Sequence, residues 1–498
     1  MTRVAARRAT RKENALRYLE RVVPGSAPNN LSLAFRVDGG LDPQRLRAAL
    51  DAVVRRHEAL RTVFVADGAE LTRAVLAPDR CSVELERADL TSEAELTAFV
   101  ARPFALDGEL LVRAGLFRLD RADIVCLALH HLVFDTLSHA PFVHELCAAY
   151  EGRLPAAVVA AYHEAAPRAE SLAYWRGALA GFDPASLPPR CGTPDAPKPT
   201  LVGDCILRSL SPETTARVRA ALTDVRAPEA VLLLAAYYLL LAGHGAGPDL
   251  IVGSPVDTRR PGTDAIGYHV NVLPLRVRVD PGRTARELVR ATREVFFESL
   301  AHADVPVDDL SAELPRGGHS WRHLLFRHLF NYLPGLGVEE FTIDGRPART
   351  LLVENGYSKF DLELFVLSTS DRIRLRAVYG TEFLARDDVT NLLDRYEALL
   401  RILPDVLDRP VGELPMYSDR DRRIIEAANA TAAGVQPATV PEAIHRHVTA
   451  TPEAVALVDG ERMVTYARLW GGATEVARRL GAAGVAPGDM VAVAARRG

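Results

Sequence analysis

The chain has 498 residues, of which 48% are hydrophobic and 25% charged, and a net charge of −4. That length exceeds one domain and leaves room for large cores, while the ordinary charge balance argues against nucleic-acid and membrane binding, and no apolar run is long enough to cross a bilayer. The five cysteines (Cys81, Cys126, Cys147, Cys191, Cys205) are odd in number and scattered, which fits a reducing cytosol better than a disulfide framework.

The arginine-rich start, Thr2 to Lys12, lacks the apolar segment of a secretory signal, so a cytoplasmic protein is expected. Leu31 to Val37 alternates like a strand. Asp42 before Pro43 reads as an N-cap with proline at the first helical position. The helix then runs to about Arg56, with Leu46, Leu50, Val53 and Val54 on one face. Strands are expected near Ala69–Val75 and Ser82–Leu85, and a helix at Glu93–Val100. Leu110–Leu119 and Ile124–Leu129 pair through the turn Asp120-Arg121-Ala122-Asp123. The second of these is wholly apolar, a buried strand, and it leads straight into His130-His131-Leu132-Val133-Phe134-Asp135-Thr136. Leu137, Phe142, Leu146 and Tyr150 then carry helical spacing. The histidines therefore sit where a central strand becomes a loop, a common place for reactive groups.

Taken alone, these residues admit two readings. In one, the histidines are catalytic. In the other, His130 is a satisfied core histidine and Asp135 a helix N-cap. A metal set of His130, His131, Asp135 and His139 has neither the His-Glu-x-x-His spacing nor a cysteine pair, so no metal is expected.

Residues 151–200 are alanine- and proline-rich with a helix around Leu172–Leu179, and Asp183–Thr200, carrying six prolines, reads as a connection between two lobes. Strand Cys205–Leu210, helices Pro212–Leu222 and Ala227–Leu241, and a buried strand Leu250–Val256 follow.

The His-His-x-x-x-Asp pattern resembles the core motif of the condensation domains of nonribosomal peptide synthetases, within the chloramphenicol-acetyltransferase-like superfamily. Further matches come in family order: Arg56-His57-Glu58-Ala59-Leu60-Arg61-Thr62-Val63-Phe64, then Ile266 to Arg276 around Val270-Asn271, then His302-Ala303-Asp304-Val305-Pro306. Arg322 to Phe330 matches loosely, and Ser358-Lys359-Phe360-Asp361-Leu362 also looks familial. The resemblance implies an α/β (α+β) fold. Two acetyltransferase-like lobes form a V-shaped pseudo-dimer, with the active-site tunnel between them and carrier docking faces at its ends. It places the first lobe at 1–182, the connection at 183–200, the second lobe at 201–415 and a linker at 416–436. Residues 437–498 resemble the opening of an adenylation domain, through Thr451 to Val458, Val464 to Leu469 and Gly484 to Val493.

The family reaction joins a carrier-bound donor thioester to the amine of a carrier-bound aminoacyl acceptor. It needs positioning, one proton transfer and oxyanion stabilisation. By resemblance His131 is catalytic, either as general base or by positioning the amine, with His130 its packed neighbour and Asp135 part of the same set. Imidazole suits the task because it titrates near operating pH. A buried Asp135 needs a cation, and Arg276 is the expected partner across the lobes. Arg61 is expected to anchor architecture by charge, and Thr136, Ser138, Asn271 and Asn331 to face the tunnel, although both asparagines also fit satisfied strand positions. No cofactor is expected on the chain itself; 4′-phosphopantetheine arms arrive on carriers. Because the chain opens with this domain at Met1, the donor carrier is expected in trans. The acceptor carrier of the same module, a following adenylation domain and a monomeric state are expected as well. Thr136 stands where the family has glycine. That leaves a silent docking module, or an acyltransferase on a free amine or alcohol, as the alternatives to amide formation.

Overall fold

The computed structural model describes residues 6–68, 70–155, 157–159, 166–182, 199–260, 263, 265–313, 325–335, 340–432 and 439–495. These fall into two compact units, Met1–Arg423 and Ile424–Gly498.

Within the first unit the motif strand is Ala122–His130, buried at all nine positions. Its apolar run, 124–129, is unbroken because both faces are covered. Val125, Leu127 and Leu129 join a core with Leu46, Val53, Phe142 and Leu146 from helices Pro43–Arg56 and His139–Tyr150. The alternate residues Ile124, Cys126 and Ala128 pack with Leu96, Phe99 and Val100 of helix Glu95–Val100, as the two-residue period of a strand requires. The strand pairs with Val112–Leu119 from Leu119↔Ala122 onward. Only Asp120 and Arg121 therefore form the turn, two residues fewer than expected. Asp120 takes φ 55°, a conformation aspartate tolerates.

The first sheet runs, in spatial order, 340–343, 346–351, 30–38, 122–130, 112–119 and 85–89. Its first two strands come from the second half of the chain, where Thr350 pairs with Phe35. The expected boundary of the second lobe at 201–415 is corrected accordingly: strands Glu340–Ile343 and Arg346–Leu351 complete the first lobe's sheet. They cover the edge of Asn30–Asp38, which would otherwise present unpaired backbone groups.

The second sheet runs 270–278, 249–257, 328–334, 362–368, 373–380 and 203–209. Its main covering helix, Glu229–Gly243, is apolar on every side and buried from Val231 to Leu241. Among the described residues no single helix is long and apolar enough to cross a membrane. The two six-stranded mixed sheets, each with its own helices and core, agree with the expected two-lobed α/β fold. Most of the 183–200 connection lies outside the described residues, and so do Arg322 to Leu324.

The expected linker 416–436 includes a helix, Asp419–Asn429. In the first unit, Asp421 accepts hydrogen bonds from Arg395 and Ser418. The second unit contains helices Val440–Ala450 and Tyr466–Ala482 and the hairpin Val455–Asp459/Arg462–Thr465.

Candidate active site

A cavity of about 1900 Å³ is lined by both lobes of the first unit, by His131, Asp135 and Thr136 from one and by Tyr268, Asn331, Lys359 and Glu363 from the other. Its remaining wall is largely apolar, including Leu31, Leu33, Phe35 and Val143.

His131 follows the last residue of the motif strand, and its backbone N–H donates to Asn29 O at 2.9 Å. The ring meets Tyr268 edge to face, with centroids 5.0 Å apart. Its Nδ1 is sealed from solvent and bonds no other described residue, leaving the backbone of His131 itself as the ring's hydrogen-bond contact. Nε2 is therefore the ring nitrogen left to meet a substrate. Burial pushes the imidazole down to about 3; the charge of Lys359 adds to this, and Asp135 opposes it. At neutral pH His131 is thus a neutral base. His130 does not reach the cavity. Its Nδ1 accepts from Leu132 N–H at 3.1 Å, so Nε2–H donates to Glu20 at 3.0 Å, tying the motif to helix Tyr18–Val22.

Asp135 is buried and fully hydrogen-bonded. Oδ1 accepts from Ser138 N–H (3.0 Å), Ser138 Oγ (2.8 Å) and Arg259 Nη2 (2.6 Å), and Oδ2 from His269 N–H (2.9 Å). Burial alone would raise its pKa. The Arg259 charge and these hydrogen bonds outweigh burial and hold the carboxyl below its ordinary range. Asp135 also caps the short turn Thr136–Ser138. The expected Asp135–Arg276 pair is corrected: the partner is Arg259. Arg276 instead grips Asp249 through two bonds of 2.9 and 2.7 Å and donates to Ala178 O and Ala180 O at the end of helix Ala169–Leu179. The reason is register. Val270 lies opposite Asp257, beside Arg259, whereas Arg276 lies opposite Ile251, six residues and roughly 20 Å further along the hairpin.

Ser138 is not a tunnel residue. It is wholly buried in the same clasp, where its Oγ also meets Gly267 N (3.1 Å) and Gly267 O (3.2 Å). Asn271 is likewise spent on structure, donating to Ala303 O and Val305 O and accepting from Val272 N and Val307 N. Thr136 and Asn331 do line the cavity. Thr136 is absent from the positive-φ residues, so its backbone does not require glycine. Arg61 lies away from the cavity and donates to Leu76 O, closing the hairpin Thr62–Asp67/Glu70–Val75. Its neighbours Arg56 and His57 both bind Glu145 of the motif helix, at 3.0 and 2.6 Å. Among the described residues no group of three His, Cys, Asp or Glu side chains is arranged to hold a metal ion.

Sequence reasoning missed Arg259, Glu363 and the cavity position of Lys359. A signal for Arg259 was present. It follows the end of the buried strand Asp249–Asp257 much as the histidine motif follows the end of Ala122–His130, and strand ends are where the lobes meet.

Comparison with known proteins identifies the family. The family model described as "Condensation domain" matches residues 14–426. A protein named as a nonribosomal peptide synthetase, CymA of Salinispora arenicola, is 31% identical over 98% of this chain and 7% of its own length. Bacitracin synthase 3 of Bacillus licheniformis is 27% identical over 97% of this chain and 8% of its own. The chain thus spans less than a tenth of these relatives. A solved four-domain nonribosomal peptide synthetase, bound to AMP and glycine, overlays 98% of this chain and 40% of its own. The TM-score is 0.78 at 18% identity, a likeness of fold. This chain belongs to the condensation-domain family.

Proposed function

We propose that this chain joins a carrier-bound donor acyl or peptidyl thioester to the amine of a carrier-bound aminoacyl acceptor, with His131 handling the proton. The observation that carries the reading is a neutral, cavity-facing His131 at the junction of two lobes clasped by Asp135 and Arg259.

The thioester is already activated, so the chain need supply no covalent nucleophile. The acceptor nitrogen attacks the donor carbonyl, the C–N bond forms and the carbonyl electrons move to oxygen. His131 Nε2 takes the proton from nitrogen. The oxyanion collapses, the C–S bond breaks, and the departing thiolate receives the proton. His131 is unprotonated at working pH, and the negative charge growing on the carbonyl oxygen raises its basicity as the C–N bond forms, so it can take the proton; a loop fixed by a buried clasp keeps its geometry. The phosphopantetheine arms belong to the carriers and enter as substrate. Likeness to synthetases across 97–98% of the chain supports a following adenylation segment from about residue 437. The free Cys81, Cys126, Cys147 and Cys205 fit a cytoplasmic setting.

The test is intact-protein mass spectrometry of an acceptor carrier incubated with a loaded donor carrier and this chain, beside His131→Ala. A mass gain equal to the donor acyl group, lost in the variant, supports the reading. No gain across several donors, with carrier binding retained, overturns it in favour of a docking module.

A further inference from the structure

The proton has an acceptor in this site, but the negative charge that develops on the carbonyl oxygen needs a partner too. The clasp cannot supply one, because Arg259 is committed to Asp135 and Asp257 at 2.6 and 2.9 Å. Two cations of the cavity wall are also occupied: Arg376 by Glu354 through a two-point pair, and Arg11 by Asp309 at 3.2 Å. Lys359 differs from them. It lies on the wall between the backbone anchor Ser358 N–H to Leu201 O and strand Leu362–Ser368. Among the described residues its ammonium has no hydrogen bond and no ion pair within 4.0 Å. Glu363, the carboxylate that acts on it most, shares the wall without reaching it. Lys359 and His131 line the same cavity, and among the charges acting on His131 that of Lys359 is the largest.

We propose that Lys359 is a further catalytic residue, whose ammonium stabilises the oxyanion of the tetrahedral intermediate formed beside His131. The inference rests on the amide-forming reading above. Its logic is differential: a desolvated, under-compensated ammonium is costly in the free enzyme and gains its counter-charge only as the carbonyl oxygen becomes negative. In a largely apolar cavity that attraction is stronger than in water. Burial works against the charge, and Glu363 and Glu20 work for it. An oxyanion within reach completes the neutralisation.

Single-turnover condensation between loaded carriers tests this with Lys359→Met, of similar length without charge, and Lys359→Arg, which keeps it. The expected result for Lys359→Met is a rate loss of about a hundredfold. Half-saturation by the carrier should be unchanged and the thermal midpoint equal or higher, because an under-compensated ammonium has been removed. Lys359→Arg should recover most of the rate. Three results overturn the inference: a Lys359→Met rate within about threefold of the parent, a rate loss that tracks a fallen thermal midpoint, or no recovery by arginine. A parent chain that forms no amide with any carrier pair overturns the proposed function and this inference together. An active parent with an unaffected Lys359→Met overturns this inference alone.

Discussion

Asp135 and Arg259, 124 residues apart, meet at 2.6 Å across the lobe junction, each nearly sealed from solvent. Ser138 and His269 complete the hydrogen bonding of Asp135, and Gly267 N–H donates in turn to Ser138 Oγ. The histidine loop is therefore held by the second lobe as much as by its own strand. Removing one partner strands a buried charge, so Asp135→Ala or Arg259→Met should each cost about 3 kcal/mol. Equilibrium denaturation would show it, and a double variant should cost less than the sum.

Arg276→Ala provides the contrast. It should lower stability by about 1 kcal/mol through lost contacts to Asp249 and the helix end, while the condensation rate per folded molecule stays at the parent value. A rate loss without destabilisation would contradict its placement outside the cavity.

The pH dependence follows from the lowered carboxyl of Asp135. A folded pKa below the unfolded one means the unfolded chain binds the extra proton first. The stabilisation is complete above the unfolded value of about 4 and is lost as pH falls from there to the folded value. Thermal midpoints of the parent and Asp135→Asn should therefore differ most at neutral pH and converge below pH of about 4.

His131, pushed down to about 3 by burial and then by Lys359, should remain neutral through the range where free imidazole titrates. Its NMR titration should show no midpoint near 6.5, the ordinary value. The rate should show no acid limb there from this group, and His131→Ala should lower the rate at least a hundredfold.

Two changes at the cavity and clasp test space rather than charge. A Cβ on Gly267 would sit 2.5 Å from His269 Nε2, so Gly267→Ala should cost about 2 kcal/mol by overpacking. Thr136 lines the cavity in an ordinary backbone conformation. Thr136→Gly should therefore leave the fold intact and raise kcat/KM for bulkier donors about tenfold, the low end of what one methylene is worth. Competition between two donor carriers would read it.

What was legible in the sequence was local or contiguous. The apolar run within Ala122–His130 matches its two covered faces, and the Asp42-Pro43 start of the helix packed on it appears as read. The ordered motifs across residues 14–426 identified the family. His131, Thr136 and Asn331 reached the cavity, whereas Ser138 and Asn271 turned to structure. Strand periodicity assigns a side chain to a face but says nothing of what that face meets.

The sequence by itself determined the family, the two-lobed fold and the histidine that faces the cavity, because each is encoded by neighbours in the chain. Only the tertiary structure decided that Arg259 rather than Arg276 answers Asp135, that strands 340–343 and 346–351 complete the first sheet, and that Lys359 lines the same cavity as His131. Those are pairings between distant segments. They depend on hairpin register and on how the lobes dock, and a shift of six residues along one strand moves a guanidinium from the site to the far end of the sheet.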